Sequence, residues 1–226
     1  MEDCVLARIS TAGSKRWATT VLAALVAFGG AACAARSPAG LQAAADAPTT
    51  EPAEAPPVVV RYRLERRTSD PATRDFEEVV RATLFDPRGW RRAGFDLVED
   101  PAAEFRIVLA EGPEVDGLCR PYETFGRYSC QIGPVVALNA DRWRTATPQW
   151  TGDLAGYRVM LVNHEVGHLL GQKHPGVQCP AVGQAAPVMA QQSTELGGCR
   201  ANPWPLDSEV ERAALHDLPL APPFER

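Results

Sequence analysis

The chain has 226 residues and a formal net charge of −5, with 45% hydrophobic and 23% charged positions. That fits one folded domain of ordinary size plus additional segments. The basic residues are scattered through an acidic whole, which argues against nucleic acid as a partner, and no internal repeat is present.

Residues 1–33 read as a signal peptide or N-terminal anchor. Arg8, Lys15 and Arg16 form a basic flank, Trp17 to Phe28 is uncharged and apolar, and small residues follow from Gly29 to Ala35. Three fates fit. The chain could be cut among the alanines. Cys33 could be lipidated, since Ala31-Ala32-Cys33 matches the end of a lipobox, although Gly30 stands where leucine is usual. Or Trp17 to Ala35 could remain as a membrane anchor. Each places the rest of the chain outside the cytoplasm, secreted or tethered to the cell surface. Residues 34–57 are rich in Ala and Pro, cannot bury enough apolar surface to fold, and read as a solvated linker.

The folded domain is expected over 58–226. Val58 to Leu64 alternates and is β-branched, the pattern of a strand. Asp70-Pro71 supplies an N-cap and a first-turn proline for a helix whose buried face is Phe76, Val79, Val80, Thr83 and Leu84. Asp86 to Gly89 breaks it, and two strands follow near Phe95–Val98 and Phe105–Ala110. Gly133 to Asn139 reads as an edge strand, with an interior strand as the alternative. A second helix begins near Asp153, with Leu154, Tyr157, Met160, Leu161 and Leu169 as packing residues. Asp207 to Ala213 predicts a short closing helix, and His216 is expected at the surface.

The second helix runs into His164-Glu165-Val166-Gly167-His168-Leu169-Leu170-Gly171-Gln172-Lys173-His174, which holds three of the four histidines of the chain. His164 and His168, four apart, share one helix face. Both can reach one metal ion at the zinc–nitrogen distance of about 2.0–2.1 Å. Gly171 can take the left-handed turn that ends the helix and brings His174 back as a third ligand. Three imidazoles leave one tetrahedral position open, the mark of a catalytic rather than a structural zinc site. Glu165 lies beside the first ligand, placed to hold a water at the metal.

These residues resemble the metzincin metallopeptidases, whose extended motif is H-E-x-x-H-x-x-G-x-x-H followed by a methionine-containing turn. The resemblance implies His164, His168 and His174 as ligands of one Zn2+ ion and Glu165 as general base. It also makes Met189, in Pro187-Val188-Met189-Ala190, the methionine beneath the metal. The fold it implies is α+β and zincin-like: a twisted mixed sheet backed by helices, a central active-site helix and a small C-terminal subdomain. An edge strand bordering the cleft would take an extended peptide substrate by main-chain hydrogen bonds. About the last third of the chain, including Cys179-Pro180 and Gly198 to Pro205, is similar to an uncharacterised group of exported actinobacterial proteins with a metzincin-like domain. No tyrosine follows Met189, where some metzincins carry one, and Pro175 after the third histidine matches no named subfamily.

Beyond Cys4 and Cys33, four cysteines remain and allow three pairings. Cys119–Cys130 and Cys179–Cys199 are favoured because nearest neighbours close the shorter loops. The expected function is an exported zinc peptidase acting on protein or peptide substrates as a monomer, with a zinc-activated water and a glutamate base. The alternatives are a non-catalytic, zinc-stabilised envelope or surface binding protein, and a zinc amidase acting on cell-wall peptides.

Overall fold

A computed structural model describes residues 56–214. The signal or anchor segment, Cys33, all but the last two residues of the linker, and His216 lie outside the described residues. The strands are β1 (Val58–Arg66), β2 (Phe95–Glu99), β3 (Phe105–Ala110), β4 (Cys130–Ile132) and β5 (Val135–Asn139). The helices are α1 (Phe76–Phe85), α2 (Gly112–Leu118), α3 (Ala140–Thr145), α4 (Leu154–Leu169) and α5 (Asp207–Ala214). No helix among the described residues is long and apolar enough to cross a membrane.

The fold is mixed α+β. One five-stranded sheet runs in the order β2-β1-β3-β5-β4, parallel throughout except for β4, which pairs antiparallel with β5. Residue alternation sorts the side chains onto its two faces. Ile107, Leu109, Val136 and Leu138 join the main core with Phe76, Leu84, Trp143 and the apolar residues of α4. Val108, Ala110, Val135 and Ala137 face the other way, into a smaller cluster with Val115 of α2 and Cys119.

This two-sided burial corrects the reading of 133–139 as an edge. Every residue of β5 is buried, as a continuous apolar run requires of an interior strand. The edge is β4, one hairpin earlier. A second correction concerns Asp70-Pro71. The Asp70 side chain accepts from the Ala72 amide, but it caps a separate 3₁₀ turn, Pro71–Thr73, and α1 starts only at Phe76. Asp75, just ahead of α1, instead binds across the domain, receiving the Arg158 guanidinium of α4 at 2.5 Å and the Trp143 indole at 3.2 Å.

Both disulfides form in the favoured pairing, with Cα–Cα separations of 6.1 Å for Cys119–Cys130 and 5.6 Å for Cys179–Cys199. Two such bridges fit an oxidising compartment outside the cytoplasm.

Candidate metal centre

Helix α4 begins where Asp153 caps it by accepting from the Gly156 amide at 2.7 Å. It is buried along most of its length, which keeps its register fixed. It ends in a Schellman motif: Gly171 takes φ +84°, its amide donates to His168, and the Gln172 amide donates to Gly167. The left-handed step reverses the chain and returns His174 toward the helix, as the spacing predicts.

The three rings converge. The Nε2 atoms of His164 and His174 lie 3.2 Å apart, those of His168 and His174 3.1 Å apart. Nitrogens about 2.0–2.1 Å from one tetrahedral ion stand roughly 3.3 Å from each other, so the spacing is close to that of a filled site. Nδ1 of His164 donates to the Val188 carbonyl and Nδ1 of His168 to the Gln172 carbonyl, each at 2.8 Å. A carbonyl can only accept, so the proton sits on Nδ1 and the Nε2 lone pair is free for a metal. Burial lowers the pKa of all three imidazoles, with His164 held down to about 3 by burial first and the neighbouring rings second. Neutral rings are what ligation needs. No fourth His, Cys, Asp or Glu joins the cluster among the described residues. The histidines could therefore hold one metal ion and leave a coordination position open.

Glu165 lies in the same cleft, is 5% exposed, and makes no hydrogen bond among the described residues. Burial alone pushes its carboxyl up to about 8.

The segment after the motif supports the helix from below. Met189 is fully buried. A Cβ built on Gly167, midway between Glu165 and Leu169, would overlap the Met189 Sδ and stand 2.8 Å from the Trp90 ring. Glycine is what permits this approach. The turn is closed by the Ala190 amide donating to Pro187 at 3.0 Å. It is gripped by Glu209 of α5, whose carboxylate accepts from the Val188, Met189 and Leu206 amides, each at 2.9 Å. Gln192 and Asn202 tie the same segment through Pro187, Ala186 and each other. Sequence reasoning missed all three. Glu209 carries a faint signal, since it is the residue of the short amphipathic α5 whose burial is otherwise unexplained.

Residues 66–207 match the family described as Protein of unknown function (DUF3152). The chain belongs to that family. The DUF3152 match takes in the histidine triad, Glu165, Met189 and both disulfides, and a search of curated proteins finds no match to the chain.

The cleft of this DUF3152 domain has a volume of about 690 Å³. Helix α4 lines it through Tyr157, Met160, Leu161, His164 and His168, with His174 joining from beyond the helix, so three residues read from sequence as packing also border the open space. Edge strand β4 lines it through Cys130 and Gln131, and Gln191 to Thr194 border it as well. In the Cys119–Cys130 loop, Tyr122 and Tyr128 border the cleft and Phe125 is exposed.

Proposed function

We propose that the chain is an exported zinc metallopeptidase of the metzincin type. The observation that carries the reading is the convergence of three Nε2 atoms beside a buried, unpartnered Glu165 in an open cleft. His164, His168 and His174 would hold the ion, which as a Lewis acid activates water and polarises a peptide carbonyl. Glu165 would take the proton of that water and return it to the leaving amine. Several features support the metzincin type beyond the motif: the glycine turn that delivers His174, the buried methionine against Gly167, and the Val188 carbonyl on His164. The free edge of β4 offers an extended peptide the main-chain pairing inferred at first for 133–139. The disulfides support export.

The test is Glu165→Gln in the full chain. It should keep about one zinc per chain and lose peptide cleavage by roughly 10²–10⁴-fold. Undiminished cleavage by that variant, or by zinc-free protein, would refute the mechanism.

A further inference from the structure

Helix α3 carries two arginines two positions apart, Arg142 and Arg144, which therefore point to different sides. Arg144 is surrounded by carboxylates, binding Glu111, Asp70 and Asp141 at 2.8, 3.0 and 2.5 Å. Arg158, on the adjacent α4, binds Asp75. Arg142 turns toward the cleft, and among the described residues no carboxylate pairs with it. Its one side-chain hydrogen bond runs from Nη1 to the Ala146 carbonyl at 2.8 Å. Its Nε is shut off from solvent, so a ligand in the cleft meets Arg142 at its terminal nitrogens, of which Nη2 makes no hydrogen bond among the described residues.

A guanidinium N–H that faces a cleft can give a carboxylate a charge-assisted hydrogen bond. The carboxylates bordering the cleft are Glu165 and the exposed Glu123. Arg142 shares the cleft with the Tyr157 phenol, whose pKa burial raises and whose bond to Ser193, at 2.9 Å, and the Arg142 charge partly lower. Tyr157 precedes His164 by two helical turns, about 10 Å along the axis. An extended peptide advances roughly 3.3 Å per residue.

We propose that Arg142 makes this end of the cleft a carboxylate subsite. It recognises an acidic side chain one or two residues from the triad, or a free C-terminus two or three residues away. The inference rests on the peptidase reading for which bond is cut, but not for what is bound.

The experiment uses the full chain and matched peptides differing only as Glu or Gln, each with a free or an amidated C-terminus. Binding is read by fluorescence polarisation on the Glu165→Gln protein, and cleavage by mass spectrometry on the unaltered protein. The acidic member should bind at least about tenfold tighter, as expected of a charge-assisted bond. The amidated arm tells which source of carboxylate is taken. Arg142→Gln should bring the ratio near one, and Arg142→Lys should keep part of it, retaining charge without the fork. Equal binding of all matched pairs overturns the subsite, whatever the variants do, as does an unchanged ratio in Arg142→Gln. Acid-selective binding with no cleavage leaves the subsite standing and removes the peptidase reading. Cleavage without acid selectivity does the reverse.

Discussion

Replacing Gly167 by alanine tests whether the turn at Met189 positions the metal ligands. The added methyl would overlap Met189 Sδ and press on the Trp90 ring at 2.8 Å, and both residues are buried at 1% exposure or less. Overpacking of this kind costs about 1–3 kcal/mol. Alanine in a helix recovers up to about 1 kcal/mol over glycine. The net change in stability is thus modest, roughly 0–2 kcal/mol of loss on those two terms. The metal site should suffer more. Pushing Met189 away moves Val188, whose carbonyl fixes the His164 ring, and loss of such an outer partner typically lowers metal affinity by about 10–100-fold. Competition with a zinc chelator measures this directly. In a Met189→Ala background most of the overlap is gone, so Gly167→Ala should cost distinctly less there. A Gly167→Ala protein as stable as the parent and binding zinc equally well would refute the reasoning.

Three further outcomes follow from the same geometry. Glu209→Gln leaves a single acceptor oxygen for three amides, two of them buried, and should cost about 2–4 kcal/mol in denaturant unfolding, with zinc affinity falling as well; lost stability at unchanged affinity would show that the turn does not govern His164. Arg144 and Thr68 hold the Glu111 carboxyl down to about 2, so its contribution is complete above the ordinary value near 4.5 and disappears as pH falls from there through 2. Because Glu111 is half exposed the effect is at most about 1 kcal/mol, and Glu111→Gln should flatten the stability profile in that window and nowhere else. Removing the Cys179–Cys199 bridge by Cys179→Ser with Cys199→Ser should cost about 3 kcal/mol and weaken zinc binding, read by thermal unfolding with and without the metal.

What the sequence made legible is local. The four-residue spacing of His164 and His168, the glycine that turns the chain, and the alternation in β1 each act within a few neighbours, and each is found where the pattern places it. Failures came where two patterns overlap. The run Val135 to Leu138 suits an edge or an interior strand until the partner on each side is known, and only burial on both faces decides. Tyr157 and Leu161 share the helix stripe of His164, seven and three residues away, so helical geometry already held the signal that they border the cleft. Helices α2 and α3 are too short to display a period. The grip of Glu209, Gln192 and Asn202 on the Met189 turn joins residues distant in sequence, as does the isolation of Arg142 from every nearby carboxylate. No pattern of spacing encodes such contacts.

The central claim is one metal ion held by three imidazoles, with one position left to solvent. X-ray absorption at the zinc edge of the loaded protein reads that coordination shell directly. Three imidazole nitrogens at about 2.0–2.1 Å and one exchangeable light atom are the predicted result; a shell containing sulfur, a fourth protein ligand, or fewer than three imidazoles would contradict it.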